Sequence, residues 1–539
     1  MTRFFFSLFL LLGATAVTAA NLPNISLYSN DIYGQRFDPG AEYPYRIGLS
    51  NYGTDAHDLR VTIDVDPAAT VIALSGDFGV CARSGTRIVC SAGLFAHDQH
   101  GEINFTLRMP LRRSGGRVTL SAELTIAEQM EAEARTRLSY DIVMNRLISV
   151  TSTADEGLGT LRDAIRDANV SCSDVQPCRI LFNVEPSQLT NGVATIRPET
   201  PLPVIKATTL VIDGATQTAF AGDTNPAGPE VELSGAKVTA GQGIEFRSDD
   251  RCDFRDSFSI YNVYVTGLAI NGFPGAGIVA TVPDRCFGAP YFGASANYLG
   301  TDATGTRAVP NERGVMTLGM IPTIFNNVLS GNRRSGAFIW NAIAADVEDN
   351  RIGVGADGKT PLGNGASGIF IDNEQGNSVV ARNTIANNGE FGVAITGARI
   401  PAVNGNSIHD NGLLGIDIGL DLVVPPNVPK LTSAKYDPVT DTTIISGRVD
   451  ADGGFGCCSS FGVSVYASDT LNARGLAQAE RTLGFVQSQA SGHFDFTFAA
   501  KGDLTGKWIT AQTQRTFISG FDTPSAETTE LSNPIQATR

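Results

Sequence analysis

Apolar and polar residues alternate in short runs from about 24 to 146, as in "LRVTIDVD" and "GEINFTLRMPL", with turn residues between the runs. A period of two over segments this short predicts strands, and their succession predicts a β-sandwich. The pattern changes at "TLRDAIRDAN", where Leu161, Ala164, Ile165 and Ala168 fall along one helical face. Thr160 and Asp163 supply a capping-box-like start, an oxygen for unpaired amides and a carboxylate for the positive helix end. A helix this short and one-sided needs an apolar surface beneath it.

The next 250 or so residues suggest that surface. Asparagine followed by an apolar pair or alternation recurs at Asn297, Asn327, Asn350, Asn383 and Asn406, positions 30, 23, 33 and 23 apart. Glycine-led strands, "GAFIW", "GIFID", "GVAIT" and "GIDIG", sit between them, and the two longer intervals carry related insertions from 298 and 351. Without the insertions a repeat near 23 remains, with no helix inside it. That predicts a parallel β-helix whose coils stack, with Asn and Gly turning the corners. A leucine-rich-repeat solenoid would need a leucine signature that is missing, and a propeller a longer period. The amphipathic helix then becomes a cap for an end coil, which otherwise exposes its apolar cross-section. After the proline-rich "VVPPNVPKL", alternating strands such as "TTIISGRVDA" and "HFDFTFAA" predict a second sandwich.

These readings give an all-β chain divided as 1–20 signal peptide, 21–146 sandwich, 147–425 β-helix with helical cap, and 426–539 sandwich. The 539 residues include 58 glycines and only 18% charged residues, which suits turn-rich β structure. The first twenty residues run from Arg3 through an apolar stretch to small residues, the form of a secretory signal, and that stretch is shorter than the roughly 20 residues a membrane span needs. Export suits disulfides, and the spacing pairs Cys81 with Cys90, Cys172 with Cys178, and Cys252 with Cys286; the adjacent Cys457 and Cys458 stay open. The net charge of −15 disfavours nucleic acid and anionic membranes, and leaves polysaccharides and host or cell-surface proteins as partners.

Two resemblances follow from these strings. "VTSTADEGLGTLRDAIRDAN", "IGVGADGKTPLGNGASGI" and "LLGIDIG" resemble bacterial exported right-handed parallel β-helix proteins with a CSLREA-type N-terminal cap, over roughly 147 to 539; Thr160 to Ala164 stand where the literal string would be. The resemblance implies a pectin-lyase-like fold and an exported or surface location, with no defined activity. The segment around "IGLSNYGTDAHDLRVTIDVDP" resembles bacterial immunoglobulin-like repeat domains.

Chemistry is sparse. β-helices also serve polysaccharide lyases and glycoside hydrolases, so the fold leaves catalysis open, but none of the polygalacturonase motif sets occurs in order. Asp346, Asp349, Asp372 and His409 are the weak catalytic candidates, with turn residues as the competing explanation. Aligned strands put Phe338 and Phe370 in one row and Trp340, Asp372 and Thr396 in another, so Phe338, Trp340 and Phe370 are the candidate glycan contacts unless the rings stack inside the coil. No zinc motif stands out and no cofactor is implied; "TDATGT", "GADGKT" and "DADGG" leave only calcium open, without the full ligand set of a calcium loop. A non-catalytic protein for adhesion or glycan binding is the preferred reading, with a lyase or hydrolase as the alternative.

Overall fold

The computed structural model describes residues 22–29, 37–247, 262–282, 290–342, 344–372, 378–397, 400–419, 428–450, 459–476, 478–488, 494–517 and 525–539. The signal-like segment and Cys252, Cys286, Cys457 and Cys458 lie outside these residues. The chain divides into two compact units, Met1–Asn145 and Arg146–Arg539.

The first unit pairs a four-stranded with a five-stranded antiparallel sheet around one core that includes Ile47, Leu59, Ile63, Phe95 and Ile103. Alternation explains it: in Ala56–Val65 the residues Leu59, Val61, Ile63 and Val65 are buried while their neighbours meet solvent. Cys81 and Cys90 are register partners across a hairpin turned at Gly85, whose φ of 61° suits glycine, and they are disulfide-bonded.

The second unit opens with a right-handed parallel β-helix. Three parallel sheets run its length: a first from Arg146–Val150 to Ala402–Asn404, a second from Ala194–Ile196 to Ser407–His409, and a third from Ile244–Arg247 to Ile416–Ile418. From the third coil on, each coil contributes one short strand to each sheet, so identical inward positions stack. Ile270, Leu299, Leu329, Ile352, Ile385 and Ile408 form one such column in the second sheet. The repeating asparagines form a buried ladder at the corner between the first and second sheets. Each side-chain amide donates to the oxygen of the next, Asn327 to Asn350 at 2.9 Å, Asn350 to Asn383 at 3.0 Å, Asn383 to Asn406 at 2.9 Å. A parallel second ladder, Asn332, Asn364, Asn388 and Asn411, turns the corner into the third sheet. The two insertions close as small hairpins, bridged at Thr301–Ala308 and Val354–Pro361, and stack on one another through Ala356 N–H to Gly305 O.

The predicted helix spans Leu161–Ser171, and its buried Leu161, Ala164, Ile165 and Ala168 join the core of the β-helix beside Val150 and Ile180. Thr160 Oγ1 accepts from Asp163 N–H, while Asp163 Oδ2 accepts from Gly159 N–H rather than from Thr160 N–H. The Cys172–Cys178 disulfide ties the helix end to the first-sheet strand Cys178–Phe182.

At the far end, two antiparallel sheets over Lys430–Gln536 pack around Ile445, Val463, Val465, Phe496 and Ile509 as the C-terminal sandwich.

Candidate functional site

The outer surface of the third sheet carries the aromatic residues singled out from sequence. Register confirms the two rows: Met316, Phe338, Phe370, Ala394 and Asp417 in one, Leu318, Trp340, Asp372 and Thr396 in the other. Alternation turns Ala337 and Ile339 inward and leaves Phe338 and Trp340 half-buried on the outside. Phe338 and Phe370 stack at 5.2 Å between centroids and 2° between planes. The Arg313 guanidinium, from the preceding coil, lies 4.9 Å from the Phe338 centroid. Phe338 is therefore sandwiched, with no ring face left for a ligand. Partial burial holds the Arg313 pKa below its ordinary value, Arg334 adding to the effect, and Arg313 Nε is buried without an acceptor among the described residues. In the neighbouring row Asp372, directly beside Trp340 in register, accepts from Thr396 Oγ1.

A second aromatic group, on the outer surface of the first sheet, was missed by sequence reasoning. Tyr264 lies across Gly293 of the next coil, so close that a Cβ added to Gly293 would collide with the Tyr264 ring. The ring reaches toward Phe325, one coil further, at 6.5 Å between centroids. Tyr291 and Phe325 are 47% and 38% exposed. Burial raises the Tyr264 pKa, with Asp213 adding and Ser295 opposing. The signal existed in the chain: Gly293, Thr323 and Asp346 each stand four residues before a ladder asparagine and share one row.

The catalytic candidates are distributed over three sheets. Asp346 is on the first sheet, Asp349 at the corner that follows it, Asp372 on the third sheet and His409 at the end of a second-sheet strand. Asp349 and Glu348 both accept from Arg382, at 2.9 Å and 2.7 Å. His409 Nδ1 pairs with the adjacent Asp410 at 2.8 Å. Asp346 has no such partner among the described residues; loss of hydration first, and Glu348 second, push its carboxyl above the usual range although it still meets solvent. Asp302 and Asp357, in the calcium-like strings, are occupied by their own loops. Asp302 accepts from Thr306 and Arg307 N–H, and Asp357 from Lys359 and Thr360 N–H, which lowers the Asp357 pKa to about 2. Asp450 is the one described residue of "DADGG" and pairs with Lys430 and Arg448.

A family profile described as "Right handed beta helix region" matches residues 313–474. No curated protein sequence matches the chain. Among solved structures, the chain is similar to ORF18 of Geobacillus virus E2, at 11% identity and TM-score 0.24 over 71% of this chain and 76% of that one. It is also similar to the enzymatically active domain of bacteriophage CBA120 tailspike protein 2, at 8% identity and TM-score 0.19 over 71% and 72%. A third likeness is to AvmM, which catalyses macrocyclization in alchivemycin A biosynthesis, at 8% identity and TM-score 0.16 over 23% and 89%. At such scores these likenesses carry no functional argument.

Proposed function

We propose that the chain is an exported, secreted or surface-associated, β-helix protein that binds glycans without transforming them, in adhesion to a polysaccharide or a glycosylated surface. The observation that carries the reading is the outer-face register of Trp340 with Asp372: an indole able to stack on a sugar's C–H face beside a carboxylate able to accept from its hydroxyls. Phe338, Phe370 and Arg313 support that platform as a stiff column rather than as contacts. Two disulfides and the signal-like first twenty residues support export, and the N-terminal sandwich, cap helix and solenoid fit the exported β-helix group. No cofactor is needed.

The purified mature chain is to be passed over immobilised neutral and acidic polysaccharides, with and without calcium, while reducing and unsaturated ends are followed. Retention without products, weakened about tenfold by Trp340→Ala, is expected. Retention unchanged by Trp340→Ala and Asp372→Ala would overturn this site.

One observation favours hydrolysis as a second reading. Asp346 and Glu348 share one face of a strand, Glu348 ion-paired to Arg382 and Asp346 with its carboxyl raised, the unlike pair that acid and base roles require. Product formation abolished by Asp346→Asn would establish it over the binding reading.

A further inference from the structure

The first-sheet aromatic group is independent of the Trp340 platform and stands on a different sheet. Its geometry is specific: Gly293 leaves the space in which Tyr264 lies flat, and any side chain there would lift the ring. Tyr291 and Phe325 flank the Tyr264 row, one row to either side, each with substantial exposure, a costly state for a large ring on a folded surface. Polar groups interrupt the rings: Thr323 lies between Gly293 and Asp346 in the central row, and Glu348 follows Phe325 in the next. A protein partner of ordinary kind would meet a more continuous apolar patch. Alternating rings and hydroxyl-matching groups suit a chain of pyranoses, whose C–H faces and hydroxyls alternate in the same way. Asp346, Glu348 and Asp349 outnumber Arg382, so the local charge is negative and an acidic sugar is disfavoured.

We propose that this face of the first sheet is a second carbohydrate site that takes a neutral pyranose chain, with Tyr291 and Phe325 stacking on the sugars and Asp346 accepting from a hydroxyl. The raised carboxyl of Asp346 fits surroundings that are partly dry before any ligand arrives, where a donated hydroxyl proton has most effect. Two platforms on two sheets would let one molecule hold two glycan strands. The site does not depend on Trp340, although both readings share carbohydrate as the ligand class.

Isothermal titration with cellohexaose, N-acetylglucosamine hexamer and oligogalacturonate tests it on the full mature chain. Two sites per chain are expected for a neutral hexamer, and one site for a Tyr291→Ala, Phe325→Ala double variant with the Trp340 site intact. Gly293→Ala, which keeps every ring but displaces Tyr264, is expected to weaken the first-sheet site at least tenfold, with circular dichroism confirming the fold. Trp340→Ala is expected to leave the first-sheet site in place. If Trp340→Ala removes all binding, or the double variant and Gly293→Ala leave the isotherm unchanged, the first-sheet site is overturned while the Trp340 reading stands. Loss of all binding in the double variant, with Trp340→Ala unaffected, would keep the first-sheet site and overturn the one at Trp340. Oligogalacturonate binding tighter than the neutral hexamers would overturn the choice of ligand, and no binding of any of the three would overturn both sites.

Discussion

Ala296 has a φ of 52°, the left-handed conformation that costs an L-residue about 1 kcal/mol and glycine little. It occupies the corner just before ladder residue Asn297, and the equivalent corners hold Asn326, Asp349, Arg382 and Gly405, all at positive φ. The solenoid turns this corner the same way in every coil, so the conformation is imposed by the stack rather than chosen by the residue. Asn and Asp tolerate it; Ala296 has no such compensation and is solvent-exposed, so little packing is lost on shortening it. Ala296→Gly is expected to raise stability by about 0.5 kcal/mol or more in chemical denaturation. The asparagines beside it are the opposite case. Asn350 donates to Ile324 O at 2.8 Å and to Asn383, and accepts from Asn327 N–H at 2.9 Å, all in the interior. Asn350→Ala strips a buried carbonyl and a buried amide of their partners at once, and a loss of about 3 kcal/mol is expected in the same measurement.

At the scale of elements, the cap helix depends on a side chain that its pattern would place on the surface. Arg162 is only 4% exposed, and its guanidinium donates to Asp155 Oδ1 at 2.6 Å, Pro201 O at 2.7 Å and Thr200 O at 2.8 Å. The helix is thereby fixed at its start by Arg162 and at its end by the Cys172–Cys178 bond. Arg162→Ala leaves a carboxylate and two carbonyls without their donor, and a cost of about 3 kcal/mol is expected, read as faster amide exchange across 155–171 than in the central coils. The same element shows what the chain made legible. The apolar stripe Leu161, Ala164, Ile165 and Ala168 was readable because helical spacing encodes a local face, and the first asparagine ladder was readable because every corner repeats it. Arg162 was not, since its acceptors come from residues 155, 200 and 201, and their approach is set by the coil path. The second ladder was harder to see because the insertion at 354–361 puts Asn364 fourteen residues after Asn350, whereas Asn332, Asn388 and Asn411 follow their first-ladder neighbours by five. Tyr264 over Gly293 was not legible either: counting four residues back from the ladder asparagines reaches Gly293, Thr323 and Asp346, but Leu268 stands four after Tyr264, so only the register of the coils places that ring. The rows through Phe338 and Trp340 were legible, but the Arg313 stack that closes one face of Phe338 was not.

Across the second unit, the last coil meets the C-terminal sandwich through the same chemistry that joins one coil to the next. Asn411 closes the second ladder by donating to Gln478 Oε1 at 3.3 Å, and Asn472 Nδ2 donates to the backbone oxygens of Asn411 and Leu413 at 3.0 Å and 2.7 Å. Ala479 bridges Ile408, and Thr528 Oγ1 accepts from Val403 N–H, so sandwich residues continue the ladders of both the second and the first sheets. Tyr466, Ala479 and Leu531 belong to the solenoid core rather than to that of the sandwich. A division at 425 and 426 separates two sequence patterns, yet without the sandwich the last coil would be left with unpaired strand edges and an open apolar end. Leu531→Ala is expected to cost about 2 to 3 kcal/mol, as for other buried leucines, and Gln478→Ala about 1 kcal/mol for the lost ladder bond. If the sandwich caps the solenoid, each of these variants shifts a single melting transition shared by strands 402–418 and 459–517, as followed by residue-resolved hydrogen exchange. Two separate transitions, with only the sandwich affected, would mean that the solenoid end is stable by itself.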